Sequence, residues 1–455
     1  MKIIIKDGTI VNNGLSYKGS LLIEYNRVSQ IIMDNDPKIN EKIEAIYRDK
    51  HIDKTISAQG MYILPGVIDD QVHFREPGNT DKATIESESI AAVLGGVTSF
   101  MDMPNNTPST TTNEALEEKY KIAEDHSYAN YSFYLGATNY NIDEIRRVDK
   151  TKVCGIKVFM GSSTGNMLVN DEQALNAIFK ESPILIATHC EQEEIIQANL
   201  KEYTAKYGEN IPFEAHSNIR SREACITCTK RALKLAIENN SRLHILHIST
   251  AEEIELIRQA RKKNPKITGE VCVHYMWFNQ NDYAKYGSRI KCNPAIKLTS
   301  DMLAIRDAVK DGIIKVVATD HAPHLKCEKD NNYSNAPGGL PLVQHSLQLM
   351  LELSRKGIFT IEEVVARMSH GPAECFNIQN RGFIKEGDFA DLVIVNLNLP
   401  DSTTTNNPAY KCGWSPFEGE TFGSSIVHTF VNGVQVVENG KLTGQRSAEA
   451  LTFNR

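Results

Sequence analysis

His73 and Arg75 close one apolar run of this chain (ILPGVIDDQVHFREPG), and Asp102 and Asn105 close another (FMDMPNN). His189 and Glu191 end ILIATHCE, His244 and His247 punctuate RLHILHIST, and His274 follows GEVCV with Asn293 beyond it. Asp320, His321 and His324 end KVVATDHAPH. A single histidine in an apolar run is more often a satisfied core residue than a ligand, and His244, out of phase with His247, fits that description. The whole set does not: 13 histidines scattered at random would not gather at the ends of apolar runs. Imidazole with carboxylate and no thiolate suits a divalent cation, zinc first, with manganese, cobalt or iron as alternatives. Lys157 stands inside GIKVFMG, where an ammonium would repel such a cation. A desolvated lysine has a lowered pKa and could react with CO₂, and the resulting carbamate could bridge two metals. Gln71 is the anomaly, because it occupies the place two residues before His73 where a metal site calls for a second histidine.

Elements must bring these groups together. From MYILPGVID onward, eight short apolar runs alternate with helical stretches such as EALEEKYKIAEDH, DEQALNAIFKES and AEEIELIRQARKK. That alternation predicts an α/β protein with a (β/α)₈ barrel, whose active site lies at the C-terminal ends of the strands. Seven of the eight predicted strand ends carry one of the groups above. The first strand is expected over Met61–Ile68. Residues 1–60 and 376–455 read as strands and Gly/Asn turns, with VNG and ENG as hairpin signals. Each is too short for its own core, so the two are expected to form one small β-sandwich beside a barrel over 61–375. The polar run DSTTTNNP (401–408) reads as a surface loop.

Composition narrows the classes. Net charge is −7 with mixed signs, which argues against nucleic acid as the main partner, since a basic stripe is the usual footprint there. No apolar run is long enough to span a membrane, and MKIIIKDGTIVNNG reads as a strand and turn, not a signal peptide. Nine scattered cysteines suggest reduced thiols and a cytoplasmic protein. Cys225 and Cys228 form the one close pair, and their helical context reads as two small core residues.

The chain resembles the dihydroorotases of the amidohydrolase superfamily along nearly its whole length. The resemblance rests on DDQVHFREPG, KATIESESIAAVLGGVTSFMDMPNNTP, GIKVFMG, ATHCE, LHIST, CNPAIK, ATDHAPH and GWSPFEG, in that order. It implies a metal-dependent (β/α)₈ barrel flanked by a β-sandwich from both termini. It implies zinc, one or two ions, held by His73, Lys157 as a carbamate, His189, His247 and Asp320. Asp320 would also carry the proton. Arg75, Asn105 and His324 would hold a substrate carboxylate, while Asn293 and the backbone of Gly338 and Gly339 would meet the ring. The implied reaction interconverts N-carbamoyl-L-aspartate and L-dihydroorotate in pyrimidine synthesis. The family motif has histidine where this chain has Gln71, so the resemblance implies one weakly held or missing metal. Tyr275 departs where relatives often have a second histidine after the first. Two other readings stand beside this one: a sister amidase for allantoin or hydantoins, and a non-catalytic scaffold for aspartate transcarbamoylase. A homodimer is also open.

Overall fold

The computed structural model describes residues 1–49, 51–161 and 167–455. Eight parallel barrel strands run in chain order: Val67–Val72, Val97–Asp102, Asn130–Phe133 with its continuation Leu135–Gly136, Ile156–Phe159, Ile186–His189, Leu243–Ile245, Ile267–Cys272 and Val316–Ala318. The third strand passes between two ladders. Its first half pairs with the second strand and its second half with the fourth. Closure comes from a parallel bridge between Val72 and His321, where His73 N donates to His321 O at 2.7 Å. Helices cover the outside, so the strands are buried on both faces and read as continuous apolar runs. Several helices begin on side-chain caps. Thr84 opens Ile85–Leu94 and Thr250 opens Ala251–Lys263, each with a capping box.

The two termini share one nine-stranded sheet. Tyr62–Pro65 is its link, pairing parallel with Lys2–Asn12 and antiparallel with Leu392–Asn396. The single strand expected over 61–68 is therefore two, and Gly66 separates them. A Cβ at Gly66 would lie 2.1 Å from Thr98 Oγ1, so only glycine passes here, and its N–H is spent on Asp391 O at 2.8 Å. Asn432-Gly433 and Asn439-Gly440 turn the expected hairpins with positive φ at both residues, as two-residue primed turns require. Ile3, Ile5, Leu21 and Ile23 pack with Leu392, Ile394 and Phe430 as the interior between the terminal segments. The run 401–408 departs from a plain loop: it carries a helical turn, Thr403–Asn406, with Thr405 buried. Among the described residues no helix is long and apolar enough to cross a membrane. Cys225 and Cys228 are both buried on the helix Arg222–Glu238.

Candidate active site

At the C-terminal mouth of the barrel lies a cavity of about 260 Å³. His73 and Arg75 reach it from the first strand, Asn105 from the second and Lys157 from within the fourth. His189 ends the fifth strand and His247 follows the sixth, while Asn293, Asp320 and His324 come from the last two connections, with Gly338 and Gly339 opposite. Every residue expected at a metal or substrate position thus faces one space, together with Gln71 and Phe159. A larger groove of about 790 Å³ opens between the terminal sheet and residues 373–388, and it contains none of these groups.

Hydrogen bonds decide which ring nitrogens are free. His189 Nε2 lies 3.0 Å from Glu191 Oε2, a carboxylate that Arg220 also holds, so Nε2 carries the proton. His189 Nδ1 is left as a lone pair, 2.9 Å from His247 Nε2. Burial lowers the pKa of His189, and burial with the His189 charge holds His247 well below the usual imidazole range. Both rings are therefore neutral, and they turn these two nitrogens toward each other. His73 Nδ1 donates to Asn105 Oδ1 at 2.7 Å, and its Nε2 shares a hydrogen bond with Asp320 Oδ1 at 3.0 Å. A ring nitrogen facing a carboxylate calls for a proton or a cation between them. Burial alone would raise the Asp320 carboxyl, but the His73 hydrogen bond and the nearby imidazoles hold it below the usual carboxylate range. Lys157 is buried, makes no hydrogen bond among the described residues, and is lowered to about 8 by burial, with the Asp320 charge opposing. The donor set fits a divalent cation: neutral imidazoles, an ionised carboxylate, and an amine that burial makes available for reaction.

Gln71 takes another part. Its amide Nε2 donates to Asp320 Oδ1 at 3.2 Å, while Oε1 faces Cys272 Sγ at 3.9 Å. It is a hydrogen-bond donor to the aspartate. Backbone strain collects around the same atoms. Arg75, His247 and Asp320 are non-glycine residues with φ of 66°, 38° and 51°, a conformation that costs energy and persists where the surroundings enforce it.

Several candidates from the strand ends belong instead to the frame that enforces it. Asp102 forms a buried ion pair with Lys119 and accepts Phe74 N at 2.7 Å. His321 is turned away from the cavity: its Nε2 meets Glu88 at 2.8 Å and its Nδ1 accepts from Leu342 N at 2.9 Å. His274 packs on Tyr275 with 4.1 Å between ring centres, neither of its nitrogens has a partner among the described residues, and it does not line the cavity. His244 is a core residue, but a charged one. Its Nδ1 donates to Thr268 Oγ1 at 2.8 Å, and its Nε2 faces Glu270 at 3.1 Å and Asp70 at 3.3 Å. Burial opposes protonation there, but Cys375 and the two carboxyl groups outweigh it and hold His244 well above its usual range. Asp70, His244 and Glu270 also have metal-ligand spacing, though none lines the cavity. Glu270 Oε1 accepts His247 N at 3.2 Å, so this cluster fixes the backbone of a cavity histidine. Asp69 does the same for the eighth strand, accepting Thr319 Oγ1 at 2.6 Å and Thr319 N at 3.2 Å beside Asp320.

The Arg75 end of the cavity is cationic. Arg75 is half-buried, donates through Nε to Pro323 O at 3.1 Å, and has no carboxylate in ion-pair range among the described residues. Its Nη2 lies 3.1 Å from His324 Nε2. Gly338 and Gly339 bring backbone close because side chains are excluded. A Cβ at Gly338 would lie 2.8 Å from Asn293 Nδ2, and Gly339 has φ of 145° with Ala322 O 2.5 Å from a Cβ position. Sequence reading did not find Lys82, Arg220, Lys291 or Lys329, all of which act on this site through neighbours. Their only sequence signal is a charged residue in or beside a motif.

The profile of the amidohydrolase family matches residues 62–436. A dihydroorotase of Methanosarcina acetivorans is 32% identical over 421 residues, covering 90% of this chain and 88% of its own. An allantoinase of Bacillus velezensis is 30% identical over 444 residues, covering 96% and 94%. Among solved structures, an L-hydantoinase (dihydropyrimidinase) from Arthrobacter aurescens superposes with a TM-score of 0.91 at 26% identity, covering 99% of each chain. The chain belongs to the amidohydrolase family and is a cyclic amide hydrolase.

Proposed function

We propose that this amidohydrolase interconverts L-dihydroorotate and N-carbamoyl-L-aspartate, with zinc as its metal. The observation that carries the reading is Arg75, a half-buried guanidinium on the cavity wall with no carboxylate partner among the described residues. A substrate carboxylate gives it one in bidentate geometry, with Asn105 and His324 beside it. Allantoin and hydantoins bring no such group and would leave the charge unpaired. A non-catalytic scaffold would have no use for a cavity lined by four histidines, a lysine and an aspartate.

His189, His247 and Lys157 would hold the firmer metal. For Lys157 this requires the neutral amine to attack CO₂: a nitrogen–carbon bond forms, one carbon–oxygen π pair becomes the anionic oxygen, and a proton leaves to solvent. His73, Asp320 and the same carbamate would hold a second metal. That position is the weaker one, because Gln71 gives an N–H to Asp320 where a second imidazole would bind directly. Metal bound here supplies Lewis-acid chemistry, acidifying water and polarising an amide carbonyl. The chain's own residues do the rest. Arg75 fixes the carboxylate end, and Asn293 with the Gly338–Gly339 backbone fixes the ring. Asp320, kept ionised and oriented by Gln71 and His73, accepts a proton from the attacking water and passes it to the departing ring nitrogen. Ring closure uses the same groups in reverse.

The test is turnover by the metal-loaded chain of L-dihydroorotate, dihydrouracil, hydantoin and allantoin side by side. The proposal expects L-dihydroorotate to have the highest kcat/KM. A preference for any uncharged ring defeats it.

A further inference from the structure

Two ammonium groups stand behind the substrate wall, and the chemistry above uses neither. Lys329 is completely buried, and its Nζ donates to Pro337 O at 2.8 Å, Gly339 O at 2.9 Å and Lys291 O at 3.2 Å. An ammonium has three hydrogens, so this cage satisfies it fully. Lys291 is also buried. Its Nζ donates to Tyr333 O and Ala336 O, both at 2.6 Å, and lies 4.2 Å from the Tyr333 ring centre. Lys291 O further accepts Gly339 N at 2.9 Å. The two side chains thus hold four carbonyls of the segment 333–339, whose last residues are the cavity-lining Gly338 and Gly339.

Neither ammonium has a carboxylate within ion-pair range among the described residues. Glu328, next to Lys329 in sequence, is paired with Lys82 at 2.7 Å. Carbonyl oxygens satisfy hydrogen bonds but carry no net charge, so two positive charges remain uncompensated in a poorly solvated region. Burial pushes Lys329 down to about 7 and Lys291 down to about 8, so Lys329 is about half charged at neutral pH and both carry their full charge below it. Arg75, on the same cavity, also has no carboxylate in ion-pair range among the described residues.

We infer that Lys291 and Lys329 are positioning residues that fix the Gly338–Gly339 backbone for the bound ring and, through their uncompensated charge, favour anionic over neutral ring ligands. The inference rests on the reading of the cavity as a cyclic-amide site. Its test uses the zinc-loaded full chain and the variants Lys329→Met and Lys291→Met. Measurements are steady-state kinetics on L-dihydroorotate and dihydrouracil, and amide hydrogen exchange over 331–339. The expected result is KM for L-dihydroorotate raised ~10-fold or more with kcat within ~3-fold, the signature of lost uniform binding. KM for dihydrouracil rises less, and exchange over 331–339 quickens. Unchanged KM, an equal rise for both substrates, or unchanged exchange overturns the inference. If Lys329→Met does not fold, Lys291→Met, which removes only two hydrogen bonds, carries the same test. Failure of the dihydroorotase reading shows separately, as a wild-type chain that does not turn over L-dihydroorotate. The exchange measurement needs no turnover and still decides the loop role.

Discussion

Arg75→Met should separate substrates by charge. The guanidinium spends Nε on Pro323 O and one Nη2 hydrogen on His324 Nε2, which leaves Nη1 and the second Nη2 hydrogen for a ligand. Two charge-assisted bonds at about 1.5–3 kcal/mol each amount to about 3–6 kcal/mol, or ~10²- to 10⁴-fold in kcat/KM. The cavity mouth is open to solvent, so the lower end, ~10²-fold, is the expectation for L-dihydroorotate. Methionine keeps the apolar stem, and because it has a Cβ like arginine, it leaves the strain at φ 66° unchanged. Dihydrouracil, with no carboxylate, should lose no more than ~3-fold. The assay is kcat/KM on both substrates at matched metal content, with the melting temperature as a control on folding. Equal losses on the two substrates would refute the reasoning. They would mean that Arg75 acts by tying the first-strand loop to Pro323 and His324, with no part in recognising a carboxylate.

Three further outcomes follow from the same geometry. Asp320→Asn should cut kcat by at least ~10²- to 10⁴-fold, the usual worth of a general acid–base group, with the fold retained by circular dichroism; near-wild-type turnover would remove it from the mechanism. Gln71→His should raise metal content per chain, from ~one firmly held ion toward ~two, because imidazole replaces an amide N–H that now serves only Asp320; metal analysis in the presence of CO₂ reads this, and an unchanged ratio would show that Gln71 is no missing ligand. Asp69 is pushed up from 3.8 to about 8 by burial, against the Thr319 hydrogen bond. Its folded pKa lies above its unfolded one, so the stability it contributes is whole at acid pH and is lost as pH rises toward about 8. Urea midpoints of wild type and Asp69→Asn should therefore shift in favour of the variant between pH ~5 and ~8, and parallel curves would show that Asp69 is ionised throughout.

Much of the site was legible because barrel chemistry is local in sequence. A strand end exposes two or three residues to the mouth, so His73 with Arg75, His189, His247, and Asp320 with His324 could be read as short motifs after apolar runs. The eight-strand order was legible for the same reason, since strands buried on both faces lose their alternation and stand out as apolar blocks. The break at Gly66 was not, because ILPGVID is apolar throughout. What divides it is Thr98, a residue from the next strand that leaves no room for a side chain. Nor could sequence distinguish His321 from His324. Both follow Asp320 closely, but Glu88 from a distant helix takes one ring while the cavity takes the other.

The sequence by itself determined the kinds of groups present and their place along the chain: imidazoles, a carboxylate, one lysine in an apolar strand, and one glutamine where a histidine was expected. Tertiary structure alone decided their protonation and partners. Glu191 and Asn105 orient the rings of His189 and His73, Asp70 and Glu270 charge His244, and the carbonyls of 333–339 cage two lysines that no carboxylate among the described residues neutralises. The physical reason is that a pKa or a tautomer depends on burial and on contacts between residues far apart in the chain, which sequence proximity does not encode.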